Sequence, residues 1–211
     1  MNKKKLKSVW QAIQDKEKCK ACPLCEMQPL IMKAGGSVKG MVITEGPNKK
    51  EKDENIASFG NHPTYTFLYT LFSGKAKFLR RNANVYWTHV RKCFLRNGRN
   101  KSNREKKALS LCRSLYLKEE IQALKPKFIV AVGGEALKFF LKYDQRLSKK
   151  IEDVVFVKKG IFKNVRIENL CFRLIVLPHP SGLNRIWVDL RPTDYEVLHE
   201  IKKDLSNILS R

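Results

Sequence analysis

The chain has 211 residues, of which 43% are hydrophobic and 30% charged; that balance supplies one core, fits a single domain over residues 1–211, and argues against wholesale disorder. Its 43 Lys and Arg against 20 Asp and Glu leave a net charge of +23, so a polyanion is the expected partner. No run approaches the roughly 18 apolar residues of a membrane span and no basic amphipathic anchor stands out, which points to nucleic acid and away from a membrane.

Met1-Asn2-Lys3-Lys4-Lys5 is basic enough to begin a secretory signal, but Lys7, Ser8 and Gln11 interrupt the residues behind it and no apolar core follows. Leu6, Val9, Trp10 and Ile13 instead share one face of a short amphipathic helix. A cytoplasmic location is expected. Apolar, β-branched runs at residues 38–44, 84–90, 127–132 and 172–177 predict four strands. Between them, helical spacing covers residues 65–72, 103–124 with Ser102 as N-cap, and 135–141. A closing helix over 193–209 places Val197, Ile201, Leu205 and Leu209 four residues apart. Strands alternating with helices predict the α/β class, a three-layer αβα domain around a four-stranded, mostly parallel central sheet. Residues 91–107 are the most basic segment and contain the turn signal Asn97-Gly98. They are expected to form an exposed loop that meets phosphates, because ligand sites in open α/β sheets gather beyond the carboxyl ends of the strands.

Six cysteines punctuate the chain. Cys19 and Cys22 form a C-x-x-C pair, a spacing that lets two sulfurs reach one ion or cluster. No thioredoxin-like strand precedes the pair and further cysteines lie within reach, so metal ligation is favoured over redox exchange. Residue types alone leave zinc and [4Fe-4S] both open. Cys171, in the fourth predicted strand, is expected to be a buried apolar residue.

Each predicted strand end carries a compact polar group. These are Thr44-Glu45-Gly46-Pro47-Asn48 after the first, Thr88-His89 in the second, Gly133-Gly134 after the third, and His179-Pro180-Ser181-Gly182-Leu183-Asn184-Arg185 after the fourth. In a parallel sheet all four converge on one rim and describe a pocket. The order of these motifs resembles the uracil-DNA glycosylase superfamily, and in particular its iron-sulfur family 4 enzymes, over about residues 15–205. That family shows C-x-x-C, then G-E-[AG]-P-G, a downstream Phe, and V-Y-I-T-N-x-V-K-C. A helix bearing the fourth Cys, a P-x-[FIV]-I-V-x-[LV]-G strand and an H-P-S loop follow. The matching residues here are Cys19 and Cys22, residues 44–48, Phe59, residues 85–93 ending at Cys93, Cys112, residues 126–133, and His179-Pro180-Ser181.

The resemblance implies a monofunctional DNA glycosylase, monomeric, that hydrolyses the N-glycosidic bond of a flipped-out base. It implies a [4Fe-4S] cluster rather than zinc, held by Cys19, Cys22, Cys93 and Cys112, structural in role, with Cys25 and Cys171 outside the set. Breaking the bond builds oxocarbenium charge on the sugar and negative charge on the base. Glu45 is then expected to orient water and balance the sugar cation, with Asp53 as the reserve carboxylate, and His179 to donate to the leaving base. Gly46, Pro47, Asn48, Phe59 and His89 are expected around the base, with Phe59 stacking on it. Leu183 is the expected wedge, and Ser181, Asn184, Arg185 and the amide at Gly134 the expected DNA contacts. Three positions depart from the family pattern. His89 stands where uracil-excising relatives place Asn, and an imidazole cannot reproduce the planar donor–acceptor pair of an amide. Thr44 and Asn48 stand where the family has Gly. The departures suggest an altered or wider base preference, for a modified pyrimidine such as the hydroxymethylated or glucosylated cytosine of some phages, with a role in phage defence, or for uracil. The competing reading is a non-catalytic DNA-binding sensor on the same scaffold. Covalent trapping of uracil is disfavoured, since residues 93–112 contain no His.

Overall fold

The computed structural model describes residues 3–15, 19–23, 29, 38–53, 85–94, 102–180 and 192–210. β1 (Gly40–Thr44), β2 (Val85–His89) and β3 (Phe128–Val132) are buried at every position, the signature of strands covered on both faces. β4 (Ile161–Ile167) and β5 (Leu170–Leu177) form a hairpin. The sheet order is β2-β1-β3-β5-β4. β1 runs parallel to β2 and β3, and β3 parallel to β5; β4 alone is antiparallel. The class is therefore the expected α/β fold with a mostly parallel sheet, but with five strands instead of four. β4 eluded the pattern because its register shifts between Phe162 and Val165 and Asn164 takes a left-handed φ of 58°. A bulge of this kind breaks the apolar alternation by which a strand is recognised.

Flanking the sheet are α1 (Lys3–Gln14), α2 (Lys49–Asp53), α3 (Asn103–Leu115), α4 (Leu117–Leu124), α5 (Gly134–Phe140) and α6 (Pro192–Ser210). A π-helical turn, Asp153–Val157, precedes β4. α1 buries Leu6, Val9 and Ile13, and α6 buries Val197, Ile201 and Leu205, as their spacing predicts. Ser102 caps α3 through a capping box: Glu105 N–H donates to its hydroxyl at 3.2 Å and its own N–H donates to the Glu105 carboxylate at 2.6 Å. The single helix expected over 103–124 is two helices, broken at Tyr116, whose φ of −121° leaves the helical region. The Tyr116 ring is buried and its hydroxyl lies 3.5 Å from Cys19 Sγ. Cys171 corrects a second expectation: it is exposed, because β5 turns its neighbour Phe172 into the core. The expected helix at 65–72 and residues 95–101 of the basic loop lie outside the described residues.

Where β2 ends, a polar cluster replaces apolar packing. Lys92 Nζ lies 2.5 Å from Glu120 Oε2 on α4 and 2.6 Å from Thr88 Oγ1. The Thr88 hydroxyl donates to Glu120 Oε1 at 3.1 Å, the Tyr86 hydroxyl donates to the same oxygen at 2.8 Å, and Trp10 Nε1 on α1 donates to Tyr86 at 3.1 Å. Lys92, Thr88 and Glu120 are all buried. Burial, followed by the charge of Glu120, holds the Tyr86 phenol well above its usual range, so it remains a donor. Removing one partner of a buried, hydrogen-bonded ion pair strands the other in low dielectric. Glu120→Ala is therefore expected to lower unfolding stability by about 3–5 kcal/mol, whereas Lys92→Met with Glu120→Leu recovers most of the loss. Urea denaturation of both variants checks this, and equal destabilisation of the two would contradict it.

Candidate active site and cysteine centre

The parallel register places the carboxyl ends of β1, β2, β3 and β5 on one edge: Thr44 pairs with His89, Ile43 with Ala131, and Val132 with Leu177. β1 sits between β2 and β3, so the chain reverses direction of winding there, the position where open α/β sheets form their crevice. Beyond the strands, Val90 N–H donates to Thr44 C=O at 2.8 Å and Arg91 N–H to Glu45 C=O at 2.9 Å. These bonds carry the ladder past the end of β2 and hold the turn after β1 at the rim. Glu45, Gly46 and Asn48 are half-buried there, and Pro47 is buried.

Asn48 caps α2. Glu51 N–H donates to Asn48 Oδ1 at 3.0 Å, and Asn48 N–H donates to Glu51 Oε2 at 2.8 Å, a reciprocal capping box. Most capping-box carboxylates face water, but Glu51 is 0% exposed, and its other oxygen lies 3.6 Å from His89 Nε2. His89 Nδ1 is 2.6 Å from Thr44 Oγ1. Thr44, His89 and Asn48, the three positions that depart from the family pattern, are thus joined through Glu51 into one chain of contacts. Sequence reading passed over Glu51. The available signal was Asn48-x-x-Glu51, a cap pattern hidden in a lysine-rich stretch. Of the three backbone positions 46–48, Pro47 has no N–H and that of Asn48 is committed to Glu51.

Gly133 ends β3 with a φ of 86°, a conformation that favours glycine, and its N–H donates to Leu177 C=O at 2.8 Å. A Cβ at Gly133 would lie 3.4 Å from His179 Cβ, so the β3 turn and the segment after β5 meet closely, with His179 half-buried between them. Gly134 opens α5, with nothing within 4 Å of the space a side chain would take. Asp53 is the last residue of α2; its side chain, together with Phe59, Ser181, Leu183, Asn184 and Arg185, lies outside the described residues.

The cysteines gather beside this rim. Cys93 forms a bridge with Pro29, Cys22 N–H donates to Cys19 C=O at 2.8 Å, and Lys92 N–H donates to Cys112 Sγ at 3.4 Å. Burial pushes the Cys93 thiol up to about 12, and Cys112, Cys19 and Cys22 push in the same direction while Arg91 opposes them. Cys112 is also raised, by burial first, with Lys92 opposing. Four sulfurs from three segments therefore share one electrostatic neighbourhood, and cationic Arg91 and Lys92 stand over it. Among the described residues, no three His, Cys, Asp or Glu side chains are drawn in as tightly as ligands around a single ion. Cysteine sulfurs are nonetheless the donor type that a soft metal centre uses. Cys25 lies outside the described residues. Burial lowers the pKa of the Arg91 guanidinium, with Glu45, then Cys112 and Cys93, acting in the opposite direction. Arg91 thus lies within electrostatic reach of both the candidate carboxylate and the sulfurs.

The model of the Uracil DNA glycosylase superfamily matches residues 33–205. The chain is also similar to the type-4 uracil-DNA glycosylase of Pyrobaculum aerophilum, with 27% identity over 169 residues, covering 79% of this chain and 80% of that protein. The chain's partner is accordingly DNA, matching its net charge of +23, and among the described residues no helix is long and apolar enough to cross a membrane. A parallel sheet whose strand ends bring Glu45, His89 and His179 to one rim, in a chain matched over 33–205, belongs to the Uracil DNA glycosylase superfamily and is an enzyme of the DNA glycosylase class.

Proposed function

We propose that this enzyme hydrolyses the N-glycosidic bond of a pyrimidine flipped out of DNA, and that its preference is shifted from uracil toward a modified pyrimidine such as hydroxymethylated or glucosylated cytosine, as a defence against phage DNA would require. One observation carries the shift. At the position where relatives present an amide, His89 is buried with Nδ1 2.6 Å from Thr44 Oγ1 and Nε2 3.6 Å from Glu51 Oε1, so both ring nitrogens are directed at protein groups. A wall without a donor–acceptor pair cannot read the N3/O4 edge of uracil as an amide does, which weakens the preference for uracil over a cytosine derivative at that edge.

In this reading Glu45 orients the attacking water and balances positive charge on the sugar, with Asp53 in reserve. His179 donates a hydrogen bond to the departing base, and the Gly46 amide assists. Gly46, Pro47 and Asn48 form the floor beneath the base and Phe59 stacks on it. Leu183 fills the space in the duplex, while Ser181, Asn184, Arg185 and the Gly134 amide hold the DNA backbone. Cys19, Cys22, Cys93 and Cys112 would hold a [4Fe-4S] cluster, which when bound supplies a structural cross-link rather than a redox step; the mutual influence of the four sulfurs supports this set. A thiolate-held centre requires reduced cysteines, which supports a cytoplasmic location; in this reading the chain acts as one domain and as a monomer.

Oligonucleotides carrying uracil, hypoxanthine, 5-hydroxymethylcytosine or glucosylated cytosine, with released bases measured by mass spectrometry, test the substrate. Faster release of a modified cytosine is expected, and clean release of uracil alone would contradict the shift. Glu45→Gln and His179→Ala are each expected to cut release by about 100-fold or more. DNA binding with no release of any base would favour the sensor reading instead. The thiols give a separate test. A Cys93 thiol raised to about 12 stays protonated in the metal-free protein at pH 8, so iodoacetamide should label exposed Cys171 well before Cys93, and Cys93 labelling should remain slow up to pH 9. Because ligation must expel these protons, metal uptake is expected to weaken as pH falls. Equal labelling rates at pH 8 would contradict the assignment.

A further inference from the structure

Arg91 is the second residue beyond β2, at the position where the family motif carries Val. It is only 7% exposed, so it is placed differently from an arginine that meets DNA phosphates at a surface. Its three bonding faces go to different parts of the site. The backbone N–H donates to Glu45 C=O at 2.9 Å. Nη1 donates to the carbonyl of Cys93. The guanidinium plane lies against Gly46, where an added Cβ would come within 2.5 Å of Nη2, 2.8 Å of Cζ and 3.2 Å of Nε. Gly46 is therefore the residue that lets a flat, charged group stack beneath the turn. Burying a guanidinium in place of an aliphatic side chain carries a large desolvation penalty. Glu45 opposes that penalty most, and Cys112, Cys93 and Glu105 act in the same direction when charged.

We propose that Arg91 is a positioning residue that braces the Glu45 turn against the cysteine centre, so that the geometry of the carboxylate depends on the integrity of the Cys93 segment. The proposal rests on the glycosylase reading for the role of Glu45, but the brace itself is a physical contact that exists with or without turnover. Its fixed positive charge offsets the negative charge of ligating thiolates and that of Glu45 at once, while the planar fork, which a lysine lacks, sets the height of the turn. Displacing the guanidinium from either end should have the same consequence.

The test uses the purified metal-loaded protein with Arg91→Val, Arg91→Lys, Gly46→Ala and the Arg91→Val/Gly46→Ala pair. Two quantities are read: kcat and KM for release of the best base found in the substrate panel, and the rate at which Cys93 is alkylated, with Cys171 as internal control. Arg91→Val is expected to lower kcat by about 10- to 100-fold with KM for DNA changed less than about threefold, and to speed alkylation of Cys93 but not Cys171. Gly46→Ala should reproduce both effects, the pair should be no worse than Arg91→Val alone, and Arg91→Lys should fall between. Should Arg91→Val not fold, Gly46→Ala and Arg91→Lys carry the same comparison. Wild-type kcat and Cys93 reactivity in Arg91→Val would overturn the proposal. So would effects that multiply in the pair, or a rise in KM alone that vanishes at low salt, the mark of a phosphate contact. If the wild-type protein releases no base from any DNA, the glycosylase reading falls, and Cys93 alkylation by itself then decides whether the brace exists.

Discussion

The buried ion pair between Lys92 and Glu120 governs the exit of β2 from the sheet, and both halves of the site depend on that exit. An ion pair in the interior is stable only when its remaining hydrogen-bonding capacity is filled. Here Thr88 and Tyr86 fill the Glu120 carboxylate, and Trp10 on α1 in turn fills Tyr86. The cluster ties the first helix, the second strand and α4 together at one point. The segment leaving that point cannot slide without breaking several buried polar contacts at once, which is how a short stretch of chain acquires a single position.

Residues 88–93 use that fixed position to serve four sets of partners. Thr88 and Lys92 face Glu120; His89 faces Thr44 and Glu51; Arg91 faces Gly46 and the Cys93 carbonyl; and Cys93 joins the sulfurs. Strand alternation places Thr88 and His89 on opposite faces, so the interior anchor and the proposed base pocket are adjacent in sequence without competing for space. The departures from the family pattern also acquire a common cause. A histidine at position 89 has two ring nitrogens to satisfy when buried, and Thr44 on one side and Glu51, held by Asn48, on the other stand next to them. A glycine at 44 or 48 has no side chain with which to make either contact.

Much of this architecture was legible in the sequence. The apolar runs at residues 38–44, 84–90 and 127–132 contain three of the four parallel strands and 172–177 covers all but the first two residues of β5; the convergence of their polar ends on one rim follows from parallel pairing alone. What escaped was set by tertiary contacts. β4 is bulged and partly exposed, so its pattern is not that of a regular strand. The break at Tyr116 interrupts a stretch whose spacing is helical on both sides, and Cys171 sits in an apolar run yet on its exposed face. At the site, Glu51 carries no sign of its role beside His89 and Arg91 opens the segment expected to be an exposed, phosphate-contacting loop, because charged residues in a lysine-rich chain are ordinarily solvated; both are buried instead. Their burial depends on His89, Gly46 and Cys93, which are distant in sequence or carry no visible sign of the contact. The roles of the site residues were legible only through motif order, since no local pattern distinguishes Glu45 from any other glutamate after a strand.

The claim on which the account turns is that His89, with its nitrogens directed to Thr44 and Glu51, sets which base is released. Replacing it with the amide of the family pattern, His89→Asn, and measuring the ratio of uracil release to modified-cytosine release from one mixed pool of duplexes tests this directly. The account predicts that the ratio moves toward uracil by about tenfold or more, the discrimination expected when a site gains groups that hydrogen-bond one base and not the other. A ratio unchanged by His89→Asn, with release itself intact, would contradict it.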